Sequence, residues 1–160
     1  MKKILSIIAM ALCTLTISAQ EQNLKVFNRA FEMLCDTTVK SILDNEKFNA
    51  YFKKNTQSLN MEVIQVIEDS DSISYCLVEA YKDSEDDFNI AFLEIVNEVV
   101  YDEKKFKDVP CFLAGTFTYE STGMGKKTVP YYMTIDAFYS KVKSILFKFR
   151  KFLTCHFILI

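Results

Sequence analysis

The chain holds one histidine, three glycines and two prolines in 160 residues. Each scarcity excludes something. His156 stands near the C-terminus in an apolar run, so a serine or cysteine hydrolase with a histidine base has only that residue to use. Cys155 precedes it, and adjacent residues on a helix or strand point apart, which makes a Cys–His dyad awkward. The common zinc sites need several His or Cys ligands at close spacing, and none are so arranged. There is no Cys-x-x-Cys pair. All the glycines and prolines fall between Pro110 and Pro130, so tight turning is concentrated there.

Acidic residues are missing from both ends. All 21 lie between Glu21 and Asp136, where 12 basic residues accompany them, a net −9. Residues 137–160 carry Lys141, Lys143, Lys148, Arg150 and Lys151 and no acid. An acidic body repels a phosphate backbone, which argues against nucleic acid as a partner. Half of the residues are apolar, a composition that folds.

The opening "MKKILSIIAMALCTLTISAQ" has a basic start, an apolar run from Ile4 to Ile17, and small residues before a polar one. That is the three-part pattern of a secretory signal peptide over 1–20, cleaved beside Ala19 or Gln20. The run falls short of the roughly 20 residues of a membrane anchor. Cys13 sits in mid-run without a small residue just before it, which argues against lipidation. The expectation is an exported protein, periplasmic or extracellular, with one globular domain over 21–160.

Four cysteines remain in that domain: Cys35, Cys76, Cys111 and Cys155. Export permits disulfides, and four cysteines allow three connectivities. Cys76 and Cys111 sit in apolar strand-like runs, where a free thiol behaves as a small hydrophobe. Buried thiols and one disulfide carry equal weight.

Apolar spacing predicts a helix over 22–35 and a second over about 38–54, ending in Lys53 and Lys54. From Met61 the texture turns β-branched and aromatic. "MEVIQVIE" and "ISYCLVEAY" read as a hairpin around Asp69–Ser72. Residues 88–101 fit a helix template and a strand template; their β-branched content favours a strand. "VPCFLAGTFTYES" and "KTVPYYMTID" are the clearest strands. The fold class is α+β: two N-terminal helices packed on a mainly antiparallel sheet of four to six strands, with a C-terminal amphipathic helix.

Between those last strands lies "TGMGKK". A phosphate-binding loop needs four residues between its glycines and a helix after it. Here Met124 alone separates Gly123 from Gly125, and a strand follows, so the segment is a hairpin turn and no nucleotide is expected. The acidic stretches "EDSDS" and "DSEDD" lack the calcium-loop pattern and read as solvated turns. No catalytic, cofactor-binding or metal-ligating residue is assigned, and no cofactor.

The tail, 137–160, puts Phe138, Val142, Ile145, Phe149 and Phe152 at spacings of four and three, with Asp136 as a cap. Three roles fit it: a domain helix packed on the sheet, a basic amphipathic helix lying on an anionic membrane surface, or a docking element for a partner. The interaction surface in the latter two consists of Lys141, Ile145, Lys148, Phe149, Arg150, Lys151 and Phe152. The functional expectation is an exported, non-catalytic binding or interaction protein of the cell envelope, with a protein or other envelope partner. The alternatives are an exported hydrolase acting through carboxylates, or a carrier of an apolar small molecule between sheet and helices.

Overall fold

A computed structural model describes residues 20–35, 46–70, 72–83, 87–121 and 125–157. The side chains of residues 20, 21, 35, 121, 146 and 148–157 lie outside that description. So do the expected signal segment through residue 19 and the proposed start of the second helix.

Among the described residues nine elements follow in order: strand β1 (Gln20–Asn23), helices α1 (Lys25–Cys35) and α2 (Glu46–Lys54), strands β2 (Thr56–Asp69), β3 (Ile73–Tyr81), β4 (Asn89–Val96), β5 (Lys105–Ser121) and β6 (Gly125–Thr134), and helix α3 (Ile135–Phe157). The class is α+β, with three described helices and a six-stranded, mostly antiparallel sheet. The N-terminal layout differs from the expected one. A strand comes first, pairing antiparallel with residues 116–119 of β5, where helical spacing pointed to a helix from 22. Asn23 ends that strand and accepts the Lys25 backbone N–H on its side chain at 3.2 Å, so the helix begins only after it.

The sheet closes on itself. β2, β3 and β4 form an antiparallel meander. The first half of β5 pairs with β2, its second half pairs with β6, and β6 runs parallel to β4 over residues 131–133. The ring is therefore β5–β2–β3–β4–β6–β5, with β1 outside it. Register shifts in β2, between Val63 and Gln65 and between Val66 and Glu68, supply the bending that closure needs. Pro110 and Pro130 both lie where their strands have a neighbour on one side only, so the missing N–H breaks no second ladder.

Closure explains the mixed signal in 88–101. Ala91, Leu93 and Ile95 point into the ring beside Met61, Val78 and Cys111, while Phe92 and Val96 point outward beneath the helices. With both faces buried, β4 shows no polar alternation. The outer core is aromatic. Phe138 of α3 lies 4.8 Å from Phe112 and 5.4 Å from Phe27, ring centre to ring centre, and Phe92 stacks on Phe117. The start of α3 is capped by Thr134, whose Oγ1 accepts the Ala137 N–H at 3.3 Å. Asp136, expected as the cap, instead lies in the first turn, where its charge still complements the helix dipole.

Candidate functional site

The two ends of the ring differ. At one end, the segment after β4 folds across the opening. Val100 is buried in the inner core with Phe106. The Val63 N–H donates to Lys104 O at 2.9 Å, and the Glu103 N–H donates to Val63 O at 2.8 Å. Asp102 accepts the Val66 N–H at 2.9 Å, and the Lys104 ammonium reaches Glu98 at 2.8 Å. Asn97 and Glu103 take positive φ, at 57° and 68°, to make this wrap. That end is plugged.

The opposite end is open. It is built from the start of β2, the end of β3, the start of β4 and the middle of β6, and it holds a cavity of about 360 Å³. Leu59, Ala80 and Ala91 form its floor and are the outermost members of the inner core. Pro130, Tyr81 and Tyr132 contribute walls. Gln57, Lys82, Asp83, Asp87 and Asn89 form the rim. The Gln57 amide donates to the Tyr132 hydroxyl at 2.7 Å, which fixes that tyrosine in place. Burial raises the Tyr132 pKa, and the bond from Gln57 offsets part of that rise, so the hydroxyl is neutral at physiological pH.

These residues meet because the pleat repeats every two residues. Leu59 on β2, Ala80 on β3 and Ala91 on β4 share the inward face. The rim residues come from the strand ends and from the loop joining β3 to β4. In the sequence "DSEDD" reads as a solvated turn; Lys82, Asp83 and Asp87 are exposed and also edge the cavity. Nothing in the sequence pairs this turn with Gln57 or Tyr132, since ring closure alone brings them together.

A second polar group lies inside the outer core. Glu94 is 2% exposed. Lys141 donates to its Oε2 at 2.8 Å, and the Tyr131 hydroxyl donates to the same oxygen. Burial, with the Glu94 charge as the second cause, holds the Tyr131 hydroxyl far above its usual pKa. The same two causes push Tyr75 up to about 12. The Lys141 ammonium also lies 5.9 Å from the Tyr131 ring centre and 6.0 Å from that of Phe27. Glu94 does not line the cavity at the mouth.

Of the surface expected on the tail, Lys141 turns inward to Glu94, and Ile145 is half-buried against the outer core. Lys148, Phe149, Arg150, Lys151 and Phe152 belong to α3, with side chains outside the description. Phe147, which breaks the apolar spacing, is 67% exposed. Cys76 and Cys111 are free and buried, and burial pushes both thiols up to about 12. The side chains of Cys35 and Cys155 are not described. Among the described residues no group of three or more His, Cys, Asp or Glu is placed to hold a metal ion, and no helix is long and apolar enough to cross a membrane.

No family model, no curated protein and no solved structure matches the chain.

Proposed function

We propose that this is an exported, non-catalytic binding protein of the cell envelope, and that it takes a small-molecule ligand at the open mouth of its barrel. One observation carries the reading. A ring of strands plugged at one end leaves, at the other, a cup with an apolar floor and a polar rim. Barrel mouths of this build suit small ligands, and about 360 Å³ lies at the low end of the usual range of roughly 300–1,000 Å³.

The geometry favours binding over the two alternatives. A carboxylate hydrolase needs an acid sheltered in its pocket. Asp83 and Asp87 are exposed at the rim, and Glu94 is spent on an ion pair beneath α3. An apolar carrier needs room between sheet and helices, and there Phe27, Phe52, Phe112 and Phe138 are packed ring against ring.

A fraction of molecules below about 1 kDa, extracted from the cell envelope, would be added to the isotope-labelled processed chain. Binding at the mouth moves the amide signals of Leu59, Ala80 and Ala91. Signal changes confined to other parts of the chain would contradict the reading.

One further observation favours attachment through the tail. Phe147 is exposed on a helix whose sequence from 141 to 151 is basic and free of acid. Such a helix suits an anionic membrane surface. A chain ending after Leu146 keeps the buried Phe138 and Val142 and loses Phe147, so comparing its sedimentation with anionic vesicles against that of the full chain tests the attachment. Equal sedimentation of the two chains would remove the tail from the account.

A further inference from the structure

The ring closes at its shortest ladder. β4 and β6 meet over three residue pairs, from Phe92–Tyr131 to Glu94–Met133, whereas every other ladder of the ring has six or more. This seam is also the parallel one, and parallel pairing is slightly less stable per residue. Pro130, next in line on β6, has no N–H with which to extend the seam towards the mouth. The two strands part there. Asn89 and Ala91 on one side of the split, and Pro130 and Tyr132 on the other, line the cavity.

Side chains compensate for the short ladder. Glu94 stands on β4, and both of its hydrogen bonds come from the far side of the seam: from the Tyr131 hydroxyl on β6, and from Lys141 at 2.8 Å, on the helix that follows β6. Bonds to a charged group are stronger than neutral ones, and more so away from water, where the Glu94 side chain lies. Tyr75 makes the contrast. It pairs with Glu94 from β3, away from the seam, and among the described residues its hydroxyl forms no hydrogen bond. We infer that the β4–β6 seam is the line along which the barrel opens, and that Glu94, Tyr131 and Lys141 form the clamp that holds it shut. Opening lengthens the split from the mouth past Phe92 and Tyr131 to Leu93, and so into the inner core. This opening stands whether or not the mouth holds a ligand; on the proposed reading of the mouth, it sets how deep a ligand reaches.

Native-state amide hydrogen exchange on the full processed chain, without ligand, tests this. The amides that bond across the seam, within residues 92–94 and 131–133, are expected to exchange about tenfold or more faster than those of the β2–β3 ladder. Tyr131→Phe deletes one bond to the buried carboxylate and should speed the seam amides by a further tenfold or so, while moving the β2–β3 amides less. Lys141→Gln should act on the same amides, and serves if the first variant does not fold. Tyr75→Phe removes a hydroxyl beside Glu94 on the other side and should leave the seam unchanged. Seam amides as protected as those of the β2–β3 ladder in the wild type would overturn the opening line. Equal acceleration across the whole sheet in the clamp variants, or a seam loosened as much by Tyr75→Phe, would overturn the clamp. Because no ligand is present, neither result bears on the reading of the mouth as a binding site.

Discussion

Lys141, on the second turn of α3, reaches down to Glu94 in the second half of β4, with 2.8 Å between its ammonium and the carboxylate. The Glu94 side chain is 3% exposed and that of Lys141 is 23% exposed. A charge so buried is tolerable only when paired and hydrogen-bonded, and Tyr131 supplies the second bond. The pair orients α3 on the sheet at one point.

Breaking it from one side leaves a stranded charge. Lys141→Met is expected to cost about 2–4 kcal/mol, somewhat below the full cost of a wholly buried pair because Lys141 keeps some solvent. Adding Glu94→Gln to the same chain recovers a good part of that loss, since no unpaired charge remains. Urea midpoints of the wild type, both single variants and the double variant measure both steps. A double variant as unstable as the sum of its two single changes would mean that the residues act separately.

Gly115 is held by a neighbour rather than by a turn. A Cβ built there would stand 1.8 Å from the backbone oxygen of Asn23. Backbone cannot swing aside as a side-chain tip does, so Gly115→Ala is expected to displace β1 from β5 and to cost about 2–3 kcal/mol. Gly125 makes the contrast. It has φ +69° and open space around its Cβ position, so Gly125→Ala carries only the left-handed backbone cost, about 1 kcal/mol. Amide exchange across residues 20–23 separates the two, with protection lost in the first variant and retained in the second.

The buried thiols set an alkaline limit on stability. Cys76 and Cys111 are held protonated to about 12, against 9.0 for a free thiol. Above pH 9 the unfolded chain loses these protons while the folded chain keeps them. The folded state then binds more protons, and stability falls as pH rises from 9 towards 12, by up to about 1.4 kcal/mol per thiol per pH unit. Tyr75, held to about 12 against 10.0, adds a fall in the same direction from pH 10. Urea midpoints at pH 8, 9, 10 and 11 should decline, and a Cys76→Ala, Cys111→Ala double variant should decline less steeply. A thiol reagent at pH 8 should find neither cysteine until the chain is unfolded.

How far the sequence reaches can be judged element by element. The hairpin of β2 and β3, the strands β5 and β6 and the final helix are legible because their apolar spacing and turn residues are local. The strand β4 is legible only by its β-branched content, because burial on both faces removes the alternation. The first strand is hidden because Gln20–Asn23 holds no apolar or β-branched residue to mark it, and only the edge of β5 draws it into the sheet. The mouth is hidden for a related reason. Gln57, the 82–87 turn and Tyr132 are far apart in sequence, and ring closure that joins them leaves no local mark. The Glu94–Lys141 pair has a faint one: an acid in the apolar run "IAFLEIV", which an inward-facing lysine elsewhere must answer.

The central claim is that ligand enters at the mouth, and a blocked mouth tests it most directly. Ala80 lines the cavity and is 6% exposed, so Ala80→Leu adds volume there. Calorimetric titration of the ligand recovered from the envelope extract would compare this variant with the wild type, and a urea curve would confirm that both are folded. The account predicts binding weakened tenfold or more in a chain that stays folded, with the added volume costing about 1–3 kcal/mol. Unchanged affinity in a stably folded Ala80→Leu chain would contradict it and place the binding site elsewhere on the molecule.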